Sequence, residues 1–317
     1  MHELEAFICK IQIECDAINM IVSQEIPTSD WNWGDLPSGL FVCDFDGTLL
    51  RSDRSFSQAD LKALSQLDAL GIVRVIATGR SIYSLNTVSI SKLPVDFIIF
   101  SSGAGIVGHP DGNIIRKVSL EAHEVNRAIA ILQAEGLDFM VQRPIPDNHV
   151  FGYFESTPDN EDFKRRIELY SQFAFPLNEV ADGFGPATQL IAILPSGDSQ
   201  PALDDIRKKL PDFNIIQTTS PLDGQSLWIE VFPPSVSKSH AVAWLAAEFG
   251  LDSAHTLSIG NDYNDLDLLE WTANSFVVEN APDDIKSRFP VVASHNESGV
   301  AEAVQRWLAT TPLKDSK

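Results

Sequence analysis

The sequence GLFVCDFDGT, residues 39–48, joins an apolar run directly to two carboxylates. A short apolar run of this kind is typical of a strand that is buried in a parallel sheet. Asp44 and Asp46 follow at the end of the strand, two residues apart, so both side chains can project from the same face. Gly47 then allows a sharp turn and leaves backbone N–H groups free to hold an anion. The stretch therefore predicts a polar site at the rim of a sheet.

Strand-like runs alternate with helical stretches after this motif. A helix is predicted to begin at Ser57, whose hydroxyl can cap it, and to stop at Gly71. The apolar runs at 72–77 and 96–100 predict the second and third strands. Strands separated by helices predict a parallel sheet covered on both faces, so the expected fold class is α/β with a Rossmann-like, doubly wound core.

The rhythm of the sequence changes between residues 118 and 225, where two strand-like runs follow one another without a helix between them. A helix capped by Ser119 is expected there, and the segment as a whole predicts an inserted α+β cap domain with an antiparallel sheet. The core domain is therefore expected at 37–117 and 226–317. This division places the strand-like run at 227–232 in the core.

Residues 1–36 form an N-terminal extension. Apolar residues recur at three- and four-residue steps between Leu4 and Val22, which predicts an amphipathic helix followed by a linker. Such a helix can pack on its own domain or form a contact between copies of the chain, and the sequence leaves both open. A homo-oligomer formed through this helix is therefore one expected assembly.

The composition limits the classes of partner. The net charge of -21 argues against a nucleic-acid partner, because phosphate backbones require clustered Lys and Arg. No apolar stretch reaches about 18 residues, and the N-terminus lacks the basic-then-apolar order of a signal peptide, so no membrane partner is expected. The three cysteines are too few and too scattered for a disulfide framework. A cytoplasmic, reducing location is predicted.

Three further polar segments coincide with predicted strand ends or helix starts. They are the TGR sequence at 78–80, the neighbourhood of Lys238, and the GNDYND sequence at 260–265. Active sites in open parallel sheets lie beyond the carboxyl ends of the strands. The carboxylates of Asp44 and Asp46 repel each other, which favours a bound cation or a shared proton. Such a pair can divide nucleophilic attack and proton transfer between its members.

These segments resemble the four motifs of the haloacid dehalogenase-like superfamily. The DFDGTL sequence at 44–49 resembles the first motif, the TGR sequence at 78–80 the second, Lys238 the third, and residues 260–265 the fourth. The resemblance covers about residues 39–310. The insert is similar to the cap of the Cof-type branch, which also contains sucrose-phosphate phosphatases.

The resemblance implies a Mg²⁺-dependent phosphatase. In this family the residue matching Asp44 attacks phosphorus and forms an aspartyl-phosphate, and the residue matching Asp46 protonates the leaving oxygen and then activates water. The resemblance implies that Mg²⁺ is held by the Asp44 carboxylate, the Asp46 backbone carbonyl and the fourth motif, with oxygen ligands that suit this ion. The fourth-motif ligands would be drawn from Asn261, Asp262 and Asp265.

The resemblance also implies a catalytic set and a phosphate-binding set. The catalytic residues would be Asp44, Asp46, Thr78 and Lys238, and the phosphate would be bound by Asp44, Gly47, Thr78, Gly79, Lys238 and Asn264. By analogy, the substrate is a small phosphate monoester, in the first place a sugar phosphate, so the expected partner is a small phosphorylated metabolite. Four residues on predicted cap strands or loops are candidates for contacting the substrate, or are ordinary residues of a sheet face: Gln142, Arg143, His149 and Tyr153.

The fourth motif departs from the family pattern at Asn261, where Cof-type relatives have an aspartate. Either the amide oxygen of Asn261 ligates the metal, or Asp262 reaches it through a small change of loop path. A neutral ligand is expected to weaken the metal site, because ligand charge tunes the affinity for hard cations. A catalytically weakened binding or regulatory protein is therefore the alternative function.

A literal GxGxxG sequence at 103–108 raises the possibility of a dinucleotide-binding oxidoreductase. That fingerprint requires a helix to open within it. Here Pro110 and the Asp111-Gly112 pair follow at once, which favours a hairpin instead.

Overall fold

The computed structural model describes residues 37–179, 183–195, 197 and 199–310. The predicted N-terminal helix, and with it the suggested contact between copies of the chain, falls at 1–36 and lies outside the described residues. In the part of the chain that is described, no helix is long and apolar enough to cross a membrane.

The core domain contains an eight-stranded sheet. Its strands are β1 (Gly39–Cys43), β2 (Ile72–Ala77), β3 (Phe97–Phe100), β4 (Gly105–Gly108), β5 (Ile114–Lys117), β12 (Thr256–Gly260), β13 (Asn274–Val278) and β14 (Val291–Val292). They lie in the order β14-β13-β12-β1-β2-β3-β4-β5, and the pairs from β14 to β3 are parallel. The predicted parallel sheet is confirmed, with an antiparallel edge formed by β4 and β5.

Helices cover both faces of this sheet. Neighbouring residues of one strand pack against different helices, because successive side chains of a strand point to opposite faces. Phe41 packs in one apolar cluster with residues of helices α1 (Gln58–Ala69) and α9 (Gly299–Thr310), whereas Val42 packs in another with residues of α6 (Lys238–Glu248). The shorter core helices are α2 (Ile82–Leu85), α7 (Leu266–Trp271) and α8 (Asp283–Lys286). The doubly wound α/β core predicted from the sequence is therefore confirmed.

The inserted cap domain contains a second, six-stranded sheet. Its strands are β6 (Asp138–Gln142), β7 (Phe151–Phe154), β8 (Ala174–Pro176), β9 (Gln189–Leu194), β10 (Asn214–Thr219) and β11 (Leu227–Phe232), in the order β10-β11-β9-β6-β7-β8. Its helices are α3 (Ala122–Ala134), α4 (Glu161–Leu169) and α5 (Gln200–Lys209). Residues of α3 and α5 share one apolar cluster with this sheet, and residues of α4 share another, so the cap also has helices on both sheet faces.

Strand β11 corrects the predicted domain boundary, because it belongs to the cap and not to the core. It pairs antiparallel with β10 along its whole length and with β9 on its other side. The run LWIEVF is apolar enough for either sheet, and an apolar run alone does not distinguish a parallel strand from the centre of an antiparallel sheet. The short connection at 220–226 closes a hairpin between β10 and β11, so the cap extends to Phe232.

Two predicted helix starts have different outcomes. Ser57 caps α1 as predicted, accepting hydrogen bonds from the N–H groups of the next turn. The helix predicted to be capped by Ser119 begins later, at Ala122, because Glu121 and Glu124 form a reciprocal cap in which the Glu124 carboxylate accepts from the Glu121 N–H. A serine before a helix is a common cap, but the pair of glutamates satisfies the same backbone donors.

The GxGxxG sequence forms a strand and not a helix start. Its last four residues are β4, which pairs antiparallel with β5 across the turn that contains Pro110. A side chain at Gly105 would collide with the ring of Phe100, so close packing accounts for that glycine. The hairpin prediction is confirmed, and the dinucleotide fingerprint lacks the helix that it requires.

Candidate active site

The carboxyl ends of three neighbouring strands bring the predicted motifs together. Asp44 follows β1, Thr78 follows β2 and Asn261 follows β12, and β1 lies between the other two strands in the sheet. The backbone N–H of Asp44 still donates to Ile259 O at 2.9 Å, which continues the ladder and fixes the carboxylate at the rim. The position of the site beyond the strand ends is the one expected for an open parallel sheet.

Lys238 lies at the centre of the site. It is the first residue of α6, its side chain is fully buried, and its ammonium donates to Asp44 Oδ1 at 2.7 Å and to Asp265 Oδ1 at 2.6 Å. Burial lowers the pKa of Lys238, but the two carboxylates more than reverse this, so the net pKa lies above its ordinary value. The ammonium therefore stays protonated and supplies a fixed positive charge beside Asp44.

The Asp44 carboxyl is in a site that disfavours its own charge. Burial and the neighbouring carboxylate of Asp265 raise the pKa of Asp44 to about 7, against the attraction of Lys238, which lowers it. A further cation beside Asp44 would lower this pKa and favour the carboxylate form. Binding of a second positive charge beside Asp44 would therefore be electrostatically favourable.

Asp265 organises the fourth-motif loop. Its Oδ2 accepts hydrogen bonds from the backbone N–H of Asn261 at 2.8 Å and of Asp262 at 3.1 Å, while its Oδ1 binds Lys238. A side chain at Gly260 would meet the Asp265 carboxyl at 2.6 Å, so only glycine fits beneath it. Both oxygens of Asp265 accept hydrogen bonds from protein donors, so this carboxylate positions the loop and Lys238, and its predicted place among the metal ligands stays a prediction.

The Asp262 carboxylate binds a residue of the cap. Its Oδ2 accepts from the backbone N–H of Thr219 at 3.0 Å, and its Oδ1 accepts from the Thr219 hydroxyl at 3.1 Å. Thr219 ends strand β10, so this carboxylate binds the cap. The Asn261 amide, and not the Asp262 carboxylate, lies against Asp44 in this arrangement, and which of the two ligates a metal stays a prediction.

The side-chain amide of Asn261 faces three oxygen atoms. One terminal atom of the amide lies 2.9 Å from Thr48 Oγ1 and 3.0 Å from both Asp44 Oδ2 and Asp46 O. With the amide nitrogen in this place the oxygens accept hydrogen bonds, whereas with the amide oxygen there the Asp44 and Asp46 oxygens require a cation. Two oxygen ligands of one Mg²⁺ stand about 3 Å apart, given bonds of about 2.1 Å in an octahedron. The donor set therefore fits a magnesium ion.

The metal position would have a low ligand charge. Within the described ranges, no group of three or more His, Cys, Asp or Glu side chains could hold a metal ion. The set at Asp44 consists of one carboxylate, one backbone carbonyl and one amide, and a site with fewer charged ligands binds hard cations more weakly. Gly47 lies beside this set at φ 72°, and a side chain there would meet the Asn261 amide at 2.9 Å.

Arg80 holds the second carboxylate, Asp46. Its Nε donates to Asp46 Oδ2 at 2.6 Å and its Nη2 donates to Asp46 Oδ1 at 2.6 Å, a bidentate pair. The Asp46 side chain is 42% exposed, so it faces solvent at the edge of the site while Asp44 is buried. Arg80 stood in the quoted second motif but was not among the predicted site residues, since the sequence did not indicate which acid it would bind.

The predicted phosphate-binding residues of the second and fourth motifs lie together. The Thr78 hydroxyl oxygen accepts from the Arg80 N–H at 3.1 Å, which leaves its proton free to donate. A side chain at Gly79 would come within 3.7 Å of the Asn264 amide nitrogen and 3.5 Å of Ser102 Oγ. Gly79 therefore lies close to Asn264, and Thr78 precedes it at the end of β2.

Two serines after β3 attach the cap to the core. Ser101 and Ser102 both have left-handed backbone angles, with φ 48° and 53°, which are uncommon for residues other than glycine. Asn148 of the cap donates to Ser101 Oγ at 2.7 Å, and Ser102 Oγ donates to Glu230 of β11 at 2.8 Å. Burial raises the pKa of Glu230, against the Ser102 hydrogen bond, which lowers it. The cap is therefore seated directly on the active-site rim.

The four predicted substrate-contacting residues have different positions in the cap. His149 reaches the core, where its ring stacks on Tyr83 with centroids 4.7 Å apart. Gln142, Arg143 and Tyr153 contact cap residues: Gln142 lies beside Arg166, Arg143 stacks on Phe175, and Tyr153 packs against Phe163. Sequence reasoning missed Glu230, although one carboxylate within the apolar run LWIEVF was a usable signal.

Comparison with known proteins agrees with this geometry. Residues 41–304 match the family described as haloacid dehalogenase-like hydrolase. The chain is 24% identical over 286 residues to the 5-amino-6-(5-phospho-D-ribitylamino)uracil phosphatase YwtE of Bacillus subtilis, covering 84% of this chain and 96% of that protein. It is 25% identical over 272 residues to the HMP-PP phosphatase of Cronobacter sakazakii, covering 84% and 94% of the two chains.

The fold is also that of solved structures. The subclass IIB sugar phosphatase BT4131 superposes with a TM-score of 0.66 at 18% identity, over 85% of this chain and 98% of that one. The family match spans most of the chain, and the motifs that carry it meet at one sheet rim. The chain therefore belongs to the haloacid dehalogenase-like hydrolases and is an enzyme of the phosphoric monoester hydrolase class.

Proposed function

We propose that this phosphatase is Mg²⁺-dependent and hydrolyses small sugar phosphates through an aspartyl-phosphate formed on Asp44. The observation that carries the proposal is the buried Lys238 ammonium, which lies 2.7 Å from Asp44 Oδ1 at the rim of the sheet. A fixed cation beside a buried carboxylate draws the phosphate dianion to the nucleophile. Phosphoryl transfer depends chiefly on such positioning and on neutralising charge.

Asp44 would attack phosphorus, and the ester oxygen would leave with the proton that Asp46 supplies. Lys238, the Thr78 hydroxyl and the Asn264 amide would hold the phosphate oxygens during this step. Water would then attack the aspartyl-phosphate, with Asp46 taking its proton, which releases phosphate and restores Asp44.

Arg80 would hold Asp46 in place for these proton transfers. Both oxygens of Asp46 accept from Arg80, and this bidentate pair fixes the orientation of the carboxyl. Bound Mg²⁺, held by Asp44, the Asp46 carbonyl and Asn261, would neutralise charge on the transferring phosphoryl group.

The cap supports the choice of sugar phosphates. Side-chain oxygens of Asn148 and Gln189 are buried without a hydrogen-bond partner among the described residues, a rare condition that substrate hydroxyls would relieve. Among the relatives, BT4131 is a sugar phosphatase and YwtE acts on a phosphorylated ribityl chain. A cap seated on the rim also excludes water from the reaction.

A panel of sugar phosphates tests the function. The purified protein is expected to release inorganic phosphate from at least one member in the presence of Mg²⁺, and EDTA is expected to stop the release. Absence of release from every member, together with calorimetric binding of one of them, would favour the alternative of a binding or regulatory protein, which the neutral Asn261 raises.

The metal affinity should rise when the neutral ligand is replaced by a charged one. Asn261→Asp is expected to lower the Mg²⁺ concentration that half-saturates the protein by about tenfold, because each added carboxylate strengthens a hard-cation site. The measurement is the shift of the melting temperature with Mg²⁺ concentration, without substrate.

Asp262→Asn is the matched control. The Asp262 carboxylate binds Thr219 of the cap, so its neutralisation should leave the Mg²⁺ midpoint unchanged. An unchanged midpoint in Asn261→Asp, or a large change in Asp262→Asn, would reverse the assignment of the two residues.

A further inference from the structure

A cavity of about 270 Å³ borders Asp46 on the core domain. Its wall includes Asp46 and Gly47 from the first motif and four residues with basic side chains, Arg51, Arg54, Arg80 and His295. Only Arg80 belongs to a recognised motif. The cavity therefore places three guanidinium-bearing residues next to the carboxyl that handles the leaving-group oxygen.

A tight turn brings two of these arginines to the same side. The Arg51 N–H donates to Ser55 O at 3.0 Å, and the Arg54 N–H donates to Arg51 O at 2.9 Å. Arg54 itself takes a left-handed backbone angle, φ 63°. This conformation is disfavoured for a side chain of its size, so the turn is held in place by its surroundings.

Arg51 and Arg54 form no close ion pair with a carboxylate within the described part of the chain, although Asp53 and Asp60 lie near enough for the charge of Arg51 to act on them. Arg51 Nη2 donates to Asn296 O at 3.0 Å, and Arg54 Nη2 donates to Thr87 O at 3.3 Å, both uncharged acceptors. Among the described residues, neither guanidinium has a carboxylate oxygen within 4.0 Å. Asp53, the acid on the same turn, is engaged by the N–H of Ser55 at 2.9 Å.

The balance of charge around the cavity is positive. Arg51, Arg54 and Arg80 face a single wall carboxylate, Asp46, in a chain whose net charge is -21. Burial and the nearby Arg51 lower the pKa of His295, so this ring adds no reliable charge of its own. Guanidinium groups match the geometry of phosphate oxygens through paired hydrogen bonds. A phosphoryl group is a ligand whose negative charge would balance the positive charge of this wall.

The geometry points to a second anion subsite, so that the enzyme acts on phosphate esters whose leaving group carries a second phosphoryl group. This inference rests on the proposed function, because it assumes that Asp46 protonates the leaving oxygen. The residue that supplies that proton must touch the leaving group, and the same residue forms part of the cavity wall. A short leaving group can therefore extend from Asp46 to Arg51 and Arg54.

The test compares two phosphate monoesters and one phosphoanhydride, and two arginine variants separate the effect of the subsite from the higher intrinsic reactivity of the anhydride. Propyl phosphate has no second anion, propane-1,3-diol bisphosphate has one at the far end, and propyl diphosphate has one directly attached. The wild-type kcat/KM is expected to be at least about tenfold higher for one of the two doubly phosphorylated probes than for propyl phosphate, since a charge-assisted pair is stronger than a neutral contact. The preferred probe distinguishes a bisphosphate from a diphosphate substrate.

Two arginine variants and one control assign the effect. Arg51→Gln and Arg54→Gln are each expected to reduce the preference ratio by about tenfold. Arg207→Gln removes the same charge from an exposed position on α5 of the cap and should keep the ratio. Equal kcat/KM for all three probes in the wild type, or an unchanged ratio in both arginine variants, would overturn the subsite.

A binding measurement separates this failure from failure of the proposed function. In the Asp44→Asn background, calorimetry with propane-1,3-diol bisphosphate is expected to show about tenfold weaker binding when Arg54→Gln is added. If the wild type hydrolyses none of the esters but this difference is present, the proposed function fails and the subsite stands. If the esters are hydrolysed and the difference is absent, the subsite alone is wrong.

Discussion

Asp44→Asn is expected to lower kcat by about four orders of magnitude or more, because an amide does not attack phosphorus as a carboxylate does. The substitution keeps the size of the side chain and removes a charge from a buried position, where burial already raises the pKa of the carboxyl. The fold should therefore be retained. Phosphate release under saturating substrate and Mg²⁺, with the melting temperature measured in parallel, checks both parts of the expectation.

Asp159→Asn provides the matched control for this experiment. Asp159 is exposed in the cap, before α4, and carries the same chemical change far from the sheet rim. It should leave kcat within a factor of about two, as surface substitutions usually have small effects. Near-wild-type turnover in Asp44→Asn would exclude Asp44 as the nucleophile, whatever the activity of the control.

The position of the site could be predicted from the sequence, because the polar residues of the site directly follow predicted strands. Asp44, Thr78 and Asn261 each come directly after an apolar strand, and strands that run parallel end at the same edge. Lys238 could be placed there only through the resemblance. Its contact with Asp44 joins residues 194 positions apart, and no local pattern determines such a pair.

The parts that could not be predicted depend on contacts between the domains. Asp262 and Asn261 are adjacent in the sequence and both are polar, so nothing local distinguishes a metal ligand from a residue that binds the cap. In the structure Asp262 accepts from Thr219 at the end of β10, whereas the Asn261 amide faces Asp44. The assignment of β11 failed for the same reason, because its partner strands are known only once the cap is assembled.

The contact between Ser102 of the core and Glu230 of the cap could not be predicted either. Each side chain is ordinary in its own segment, a serine after a strand and a glutamate within one. Their hydrogen bond of 2.8 Å joins the rim to the cap and keeps Glu230 buried near Lys238. This contact between the cap and the rim cannot be predicted from the sequence of either domain alone.

Lys238→Met is expected to remove both activity and a large share of the stability. The ammonium is the counter-ion of two buried carboxylates, those of Asp44 and Asp265, whose side chains are 7% and 1% exposed. Breaking a buried ion pair from one side costs about 3–5 kcal/mol of unfolding free energy, because the remaining charges lose their partner. The kcat/KM should fall by about three orders of magnitude, as the phosphate also loses its fixed cation. Urea unfolding and phosphate release measure the two effects, with exposed Lys62→Met as the control.

The pH dependence and a double variant separate the electrostatic cause from simple loss of packing. Burial and Asp265 already raise the pKa of Asp44 to about 7, and without Lys238 it should rise further above its value in the unfolded chain. Asp44 then binds its proton more tightly when folded, so the variant loses stability as the pH rises from about 5 to 8. Adding Asp265→Asn removes one uncompensated charge and should restore part of the unfolding free energy, while kcat/KM stays low because the phosphate still lacks its cation. A stability loss that is independent of pH and is not reduced by Asp265→Asn would show that Lys238 acts through packing, and the central place of its charge in the site would have to be abandoned.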